Sequence, residues 1–354
     1  MEKQLKQARQ SNFELLRTIC MLLIVAYHFS IGGFCISDTE PVTFNVLFLT
    51  FIGFGGQLGV DIFVMISGYF LVEQQFRIKR AVRLWLRCVI IPAFMGVIAL
   101  ICGRTDIRSF LTVFFTPINN SYWFITTYFL LFILSPYINA MIRALTKKQH
   151  ISVICILAAV YTVLPTFFGL RMDGSTLMLF VMLYLIAAYI RIYSPKLSDS
   201  KYCLAAGAGF HLFCNLVSCV FMFMRDSYPI LGHIAGRMRC MGDTTIVIAA
   251  VLIFCGFKNL NIKYSKVINF FGASTLGVYL VHENIFTNRM LWVVIMKSPE
   301  YLYSSKLVLF SLVAIIAEYA VSMLIDMAYL YGLEGRIMKL ADRALEKLPN
   351  RLKS

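Results

Sequence analysis

Charge is scarce in this sequence: Asp, Glu, Lys and Arg make up 14% of 354 residues. A soluble globular surface needs nearer 25%, so neither a soluble domain nor a disordered chain can be built from this composition. Acid is scarcer than base, 18 residues against 33. The ten cysteines contain no C-x-x-C and have irregular spacings, mostly within apolar runs, which argues against both a disulfide framework and a zinc site. They read as small apolar packing groups; only Cys35 and Cys240 fall outside the apolar runs on the outer side. Fixed-period repeats, Pro-rich linkers and Gly/Ser tracts are absent, so nothing divides the chain. Gly53, Gly55, Gly56 and Gly59 cluster, but no Lys-Ser/Thr follows them, which rules out a nucleotide-binding phosphate loop. No cofactor is expected to be tightly bound and no metal site is expected.

Apolar residues are abundant: 59% of the chain, with 30 Phe, 18 Tyr and a mean hydropathy of +0.76. Apolar stretches recur at about 16–31, 55–72, 84–102, 121–142, 151–168, 176–193, 202–224, 243–257, 267–286 and 305–331, each near the roughly 20 residues a membrane-crossing helix requires. The pattern predicts an all-α, polytopic membrane helical bundle of about ten transmembrane helices. The segment from Thr43 to Phe54 is a further candidate for an interfacial or re-entrant helix. With alternating sides, 24 of the 33 Lys and Arg fall on the side of both termini and 9 on the other. That asymmetry obeys the positive-inside rule and predicts cytoplasmic termini. It also accounts for the net charge of +15 without nucleic acid, which would require a basic face on a folded domain. The first apolar run follows a basic segment, as in a signal peptide, but lacks a small-x-small cleavage site and reads as a retained helix. The organisation expected is a cytoplasmic tail over 1–15, an integral membrane domain over 16–331 and a basic cytoplasmic tail over 332–354.

Ionisable groups at membrane depth are costly and are functional candidates by default. Arg17 and His28 are eleven residues apart on the first helix, so they share a face, roughly 16 Å apart along the axis. Asp61 on the second span and His282 on the ninth reach a depth similar to that of His28. A carboxylate at that depth can orient an imidazole and stabilise its protonated form, the general-base arrangement of acyl transfer; structural polar pairing is the other reading of each. Ser67 and Gly68, with the upstream glycines, suit close helix packing better than nucleophilic chemistry. Arg80, Arg83 and Arg87 recur at helical spacing and form a stripe suited to phosphates, or to topology anchoring. Tyr122-Trp123-Phe124 opens the fourth span at the outer face, where an interfacial aromatic belt is expected in any case. Glu318 is the remaining buried acid, suited equally to packing and to a proton path.

Five segments together carry a resemblance. Arg17-x10-His28, Gly59-Val-Asp61-Ile-Phe-Val-Met-Ile-Ser67-Gly68-Tyr69-Phe, Phe76-Arg77-Ile-Lys79-Arg80-Ala-Val-Arg83, Tyr122-Trp123-Phe124 and Leu276-Gly277-Val-Tyr279-Leu-Val-His282 resemble the integral membrane acyltransferase family 3. The order and sidedness are kept from residue 12 to about 330. The start Ser11-Asn-Phe-Glu-Leu-Leu-Arg17 is similar to members associated with bacterial capsule and exopolysaccharide synthesis. The resemblance implies an O-acyltransferase of the bacterial cytoplasmic membrane, with the bilayer as its solvent. Such an enzyme takes an acyl group, usually acetyl, from cytosolic acyl-CoA to a hydroxyl of a cell-envelope glycan. The family's Arg-x10-His pair carries over onto Arg17 and His28. Acyl-CoA phosphates would then meet Arg17, Arg80 and Arg83, and the pantetheine arm would bring the thioester to His28. Asp61 would act beside His28, and Tyr122, Trp123 or His282 would supply an oxyanion donor. The chain departs from the family pattern at Tyr69, where Phe is common, and at Glu283-Asn284 after His282, on the acceptor side. Two other functions remain open: a transporter or flippase for a polar or lipid-linked glycan, with the buried ionisable groups lining its path, and a glycan polymerase. The first lacks evident inverted repeats, and the second lacks a large outer loop.

Overall fold

The computed structural model describes residues 10–34, 40–170 and 174–346. Lys3, Lys6, Arg9, Cys35, Arg171, Lys347, Arg351 and Lys353, used above in assigning sides and cysteine roles, lie outside these residues. Every regular element among the described residues is helical. In order they are α1 (Ser11–Gly32), α2 (Phe44–Gly53), α3 (Gly56–Leu71), α4 (Ile78–Ile101), α5 (Ile107–Leu111), α6 (Trp123–Ala144), α7 (Lys147–Ala158), α8 (Ser175–Tyr193) and α9 (Cys203–Phe223). There follow α10 (Pro229–Arg237), α11 (Thr244–Lys258), α12 (Lys266–Ala273), α13 (Thr275–His282), α14 (Leu307–Met327) and α15 (Glu334–Glu346).

Among the described residues, eight helical stretches are long and apolar enough to cross a membrane: α1, α2 with α3, α4, α6, α7 with its continuation to Phe168, α8, α9, and α14 with α15. The expected eighth span is the shorter α11, of 15 residues. The ninth is two eight-residue helices, α12 and α13, broken at Ser274. The break follows from Gly272-Ala-Ser-Thr275, where the Thr275 hydroxyl donates to the Gly272 carbonyl and competes with the helical ladder. The Thr43–Phe54 candidate is α2, capped by the Thr43 hydroxyl accepting from the Val46 amide and separated from α3 only by a turn. Nor are the expected tails wholly tails: α1 begins at Ser11, and Glu334–Glu346 is a helix held to the start of α4 by Lys79–Asp342.

The polarity of the bundle is that of a protein in lipid. Ile156, Phe168, Leu309 and Ile316 are 63–68% exposed, whereas Asp61, Asn139, Asn215, His282, Glu318 and Asp326 are buried. Glu318 accepts a hydrogen bond from Ser322 one turn later, at 2.6 Å. Residues assigned to one side meet one another. Arg191–Glu73, Lys258–Asp199 and Lys79–Asp342 pair at the basic end; Arg225 bonds the Glu40 carbonyl, and Arg237 flanks Gly169, at the opposite end.

Helix α1 runs through the middle, against α2, α3, α11, α12, α13 and α14. No side-chain cap starts it. Tertiary bonds anchor it instead, from Ser11 to Asn269 and from Asn12 to the Phe257 carbonyl. Two glycines set how closely α3 approaches its neighbours. A Cβ on Gly59 would stand 2.7 Å from the Cys20 carbonyl of α1, and one on Gly68 would stand 2.8 Å from the Tyr184 Cα of α8. Neither neighbour is the free end of a side chain, so neither can give way. Gly68→Ala is therefore expected to cost about 1–3 kcal/mol and to lower the midpoint of thermal unfolding in detergent. Gly209→Ala, where a Cβ meets nothing within 4 Å, should leave that midpoint unchanged or slightly raise it.

Candidate active site

Arg17, Met21, Ile24 and His28 follow one another on α1 at steps of four, three and four residues and so stand in one stripe. Gly56, Val60, Phe63 and Ser67 repeat the pattern on α3, as do Gly272, Leu276, Tyr279 and Glu283 along α12 and α13. With residues of α4 and α6, these stripes line two cavities inside the bundle. The cavity at the basic end, about 320 Å³, has Arg17, Arg80 and Arg87 in its wall, together with Ser67, Tyr128 and Phe124. The cavity at the opposite end, about 600 Å³, is walled by His28, Tyr27, Gln57, Asn120, Trp123, Thr126, Thr127, Thr176 and Glu283. Ile24, Val60 and Tyr279 belong to both walls. The two cavities therefore adjoin, with His28 one helical turn beyond the junction.

Hydrogen bonds fix the imidazoles. His282 Nδ1 lies 2.7 Å from the Val278 carbonyl, one turn back on α13. A carbonyl only accepts, so Nδ1 carries the hydrogen, and neutral His282 keeps a lone pair on Nε2. That nitrogen lies 2.8 Å from His28 Nδ1, which must donate to it. The chain of bonds leaves His28 Nε2 unprotonated and turned to the larger cavity, with Glu283 Oε2 3.6 Å away. A neutral histidine thus does for His28 what a carboxylate does in a Ser-His-Asp triad: it selects the tautomer and the ring orientation.

Asp61 does not take that role in this geometry. It lies one residue, or 100°, beyond the cavity-lining Val60, on the side where Gly68, seven residues on, packs against Tyr184 of α8. It is fully buried, and neither carboxylate oxygen has a hydrogen-bond partner among the described residues. Depth was legible in the sequence and azimuth was missed. Tyr122 is buried off both cavities; its hydroxyl donates to the Leu280 carbonyl at 3.1 Å and accepts from Asn284 at 2.9 Å. With its one proton so engaged, it positions the segment around His282 and has none left for an oxyanion. His282 is likewise occupied by His28. Trp123 does stand in the wall of the larger cavity.

Among the cations, Arg17 and Arg80 reach the smaller cavity, Arg17 bonded to Glu14 and Arg80 to Gln74. Arg83 does not line it and lies 3.9 Å from Glu334 of α15. Arg87, one further member of the same stripe, does line it, held by both oxygens of Asp326 at 2.7 and 2.8 Å and by the Ala273 carbonyl. Three residues passed over or left unassigned in the sequence stand at the site. Asp326 orients Arg87, Tyr279 forms the shared wall, and Glu283 faces His28. Tyr279 and Glu283 were detectable as members of the 272-276-279-283 stripe. Asp326 carried no such signal.

A family model described as an acyltransferase domain, that of acyltransferase family 3, matches residues 10–327. No curated protein matches the chain, and no solved structure does.

Nitrogen-15 NMR of histidine-labelled protein checks the hydrogen-bond chain. His28 and His282 are both expected as the neutral tautomer protonated at Nδ1. His282→Ala should perturb the His28 signals, whereas Asp61→Asn should leave them in place. An unprotonated Nδ1 on His28 contradicts the assignment.

Proposed function

The chain belongs to acyltransferase family 3 and is a membrane acyltransferase, and from that premise we propose that it moves an acetyl group from cytosolic acetyl-CoA to a hydroxyl of a cell-envelope or exopolysaccharide glycan, across the junction between its two cavities. The observation that carries this reading is the pair of adjoining cavities: one edged by arginines, the other hydroxyl-rich and aromatic, with the free nitrogen of His28 in the wall of the second, one helical turn past the residues they share. The basic end is then the cytoplasmic face of a bacterial inner membrane, in keeping with the 24 to 9 distribution of Lys and Arg, with both termini on that face.

In this reading Arg17 and Arg80 take the donor's phosphates by charge-assisted bonds. Arg87 stands in the same wall with its charge offset by Asp326, and so shapes the entrance and leaves the phosphates to the other two. The pantetheine arm follows the α1 stripe from Arg17 toward His28. His28 Nε2 accepts the proton of the acceptor hydroxyl while its oxygen attacks the thioester carbonyl, forming the C–O bond. The tetrahedral intermediate expels the CoA thiolate, which takes the proton back from the imidazolium, and the histidine returns neutral. His282 holds the ring throughout. We assign the oxyanion donor to the Tyr279 hydroxyl, which lies in the wall common to both cavities and makes no hydrogen bond among the described residues.

Transfer of label from radioactive acetyl-CoA into glycan, by membranes holding equal amounts of each chain, tests the reading. His28→Ala should lose about 10²–10⁴-fold in rate. Arg80→Ala should raise the KM for acetyl-CoA roughly tenfold or more, in line with losing one hydrogen bond to a charged group, and Arg83→Ala should stay near wild type. Labelling unchanged in His28→Ala removes the base. Failure of the wild type to label any glycan favours a transporter.

A further inference from the structure

Glu283 is a carboxylate with no part in the acyl-transfer steps, and its hydrogen-bonding neighbour among the described residues is the side-chain amide of Asn288, five positions on. It follows directly on His282, at the end of α13, and its side chain faces the larger cavity. Its Oε2 lies 3.6 Å from His28 Nε2, beyond hydrogen-bonding distance. It cannot be the group that orients His28, because the other ring nitrogen is already held by His282. It stands instead on the reactive side of the ring, where the attacking hydroxyl must come. No lysine or arginine shares the wall of this cavity among the described residues, so no cation there claims the carboxylate.

Its neighbours keep it in place. Asn284, the next residue, is buried; its side-chain amide donates to the Tyr122 hydroxyl, while its side-chain oxygen Oδ1 accepts from the Phe286 amide and the Thr287 hydroxyl. The segment is thus clamped on one side of Glu283 by Asn284 and on the other by His282. A carboxylate held this way beside a catalytic nitrogen can only accept hydrogen bonds. The attacking hydroxyl has a single proton, which goes to His28. Asn288 supplies one donor and leaves lone pairs over; the donor that can reach the oxygen facing His28 is a second group on the same acceptor, near enough to span the 3.6 Å between the two side chains.

We infer that Glu283 selects the acceptor: it receives a hydrogen bond from a hydroxyl or amine on the carbon adjacent to the one acylated. This rests on the reading of the larger cavity as the acceptor site. The substrate class is then a sugar unit bearing two neighbouring donors, a vicinal diol or an amino alcohol. Acidic sugars are disfavoured, since a carboxylate on the acceptor would face Glu283 with no cation in the wall to offset it.

The test uses the full chain in membranes, acetyl-CoA as donor and a panel of simple probes. These are the methyl glycosides of glucose, galactose, mannose and N-acetylglucosamine, their mono-deoxy analogues, and methyl glucuronoside. Glu283→Gln keeps the shape and loses the charge. It is expected to raise the KM for the preferred neutral glycoside at least tenfold, with the KM for acetyl-CoA unchanged. The analogue lacking the adjacent hydroxyl should already be poor with wild type and little worse with the variant. Methyl glucuronoside should gain relative to the neutral glycoside in the variant. Acceptor KM unchanged in Glu283→Gln overturns the inference. So does an equal loss on the diol and on its deoxy analogue, since that pattern means action through His28. The underlying reading fails separately: wild type transferring to no glycoside removes the acceptor site itself. Transfer surviving in His28→Ala removes the base, and with it the placement of the second donor at Glu283.

Discussion

The hydrogen bond between His28 and His282 is the contact on which the rest of the site depends. It joins the central helix α1 to α13, the second half of a broken element, and it does so deep in the bundle, where an unmatched imidazole is costly. Because the Val278 carbonyl dictates the proton on His282, it dictates the proton on His28 as well. A backbone carbonyl one turn back on a helix thus leaves a lone pair in the wall of the larger cavity, one turn from where it adjoins the smaller. No carboxylate is needed, which suits a low-dielectric interior where a charged orienter would itself require partners.

The same economy governs the surroundings. Tyr122 donates to Leu280 and accepts from Asn284, so neighbours of His282 on both sides in sequence are held by the residue that opens α6. Arg87 and Asp326 bring opposite charges together at the edge of the basic-end cavity, the acid fully buried and the guanidinium nearly so. Such a pair is retained because removing either member leaves a stranded charge, and its geometry aims a cation without letting it move. Gly277 permits this closeness, since a Cβ there would collide with the Asp326 carboxylate. Asp61 is the exception. Its carboxylate oxygens have no bonded partner among the described residues, and the structure gives no physical account of why an acid stands there.

Most of the fold was legible because lipid imposes a simple rule. Backbone groups must pair within helices, and outward faces must be apolar, so runs of hydrophobic residues mark the helices and basic residues mark one end. All ten expected segments are helical, and residues expected on one side do meet. What escaped were features with no compositional mark. The break at Ser274 depends on a hydroxyl competing with the ladder, and the docking of α15 depends on ion pairs between residues more than 250 positions apart.

The sequence by itself determined which residues stand at which depth: Arg17 near one end, and His28, Asp61 and His282 further in. It also determined the basic end and the membrane class, since both follow from order along the chain and the fixed rise of a helix. Only the tertiary structure decided which of those residues meet. One residue along a helix is a turn of 100°, so Val60 lines the cavities and Asp61 does not, and Glu283 faces Nε2 of His28 while His282 holds Nδ1. Rotation about each helix axis is set by packing against its neighbours, through contacts such as Gly59 on α1 and Gly68 on α8. Those contacts, absent from the chain read alone, chose His282 over Asp61 as the partner of His28.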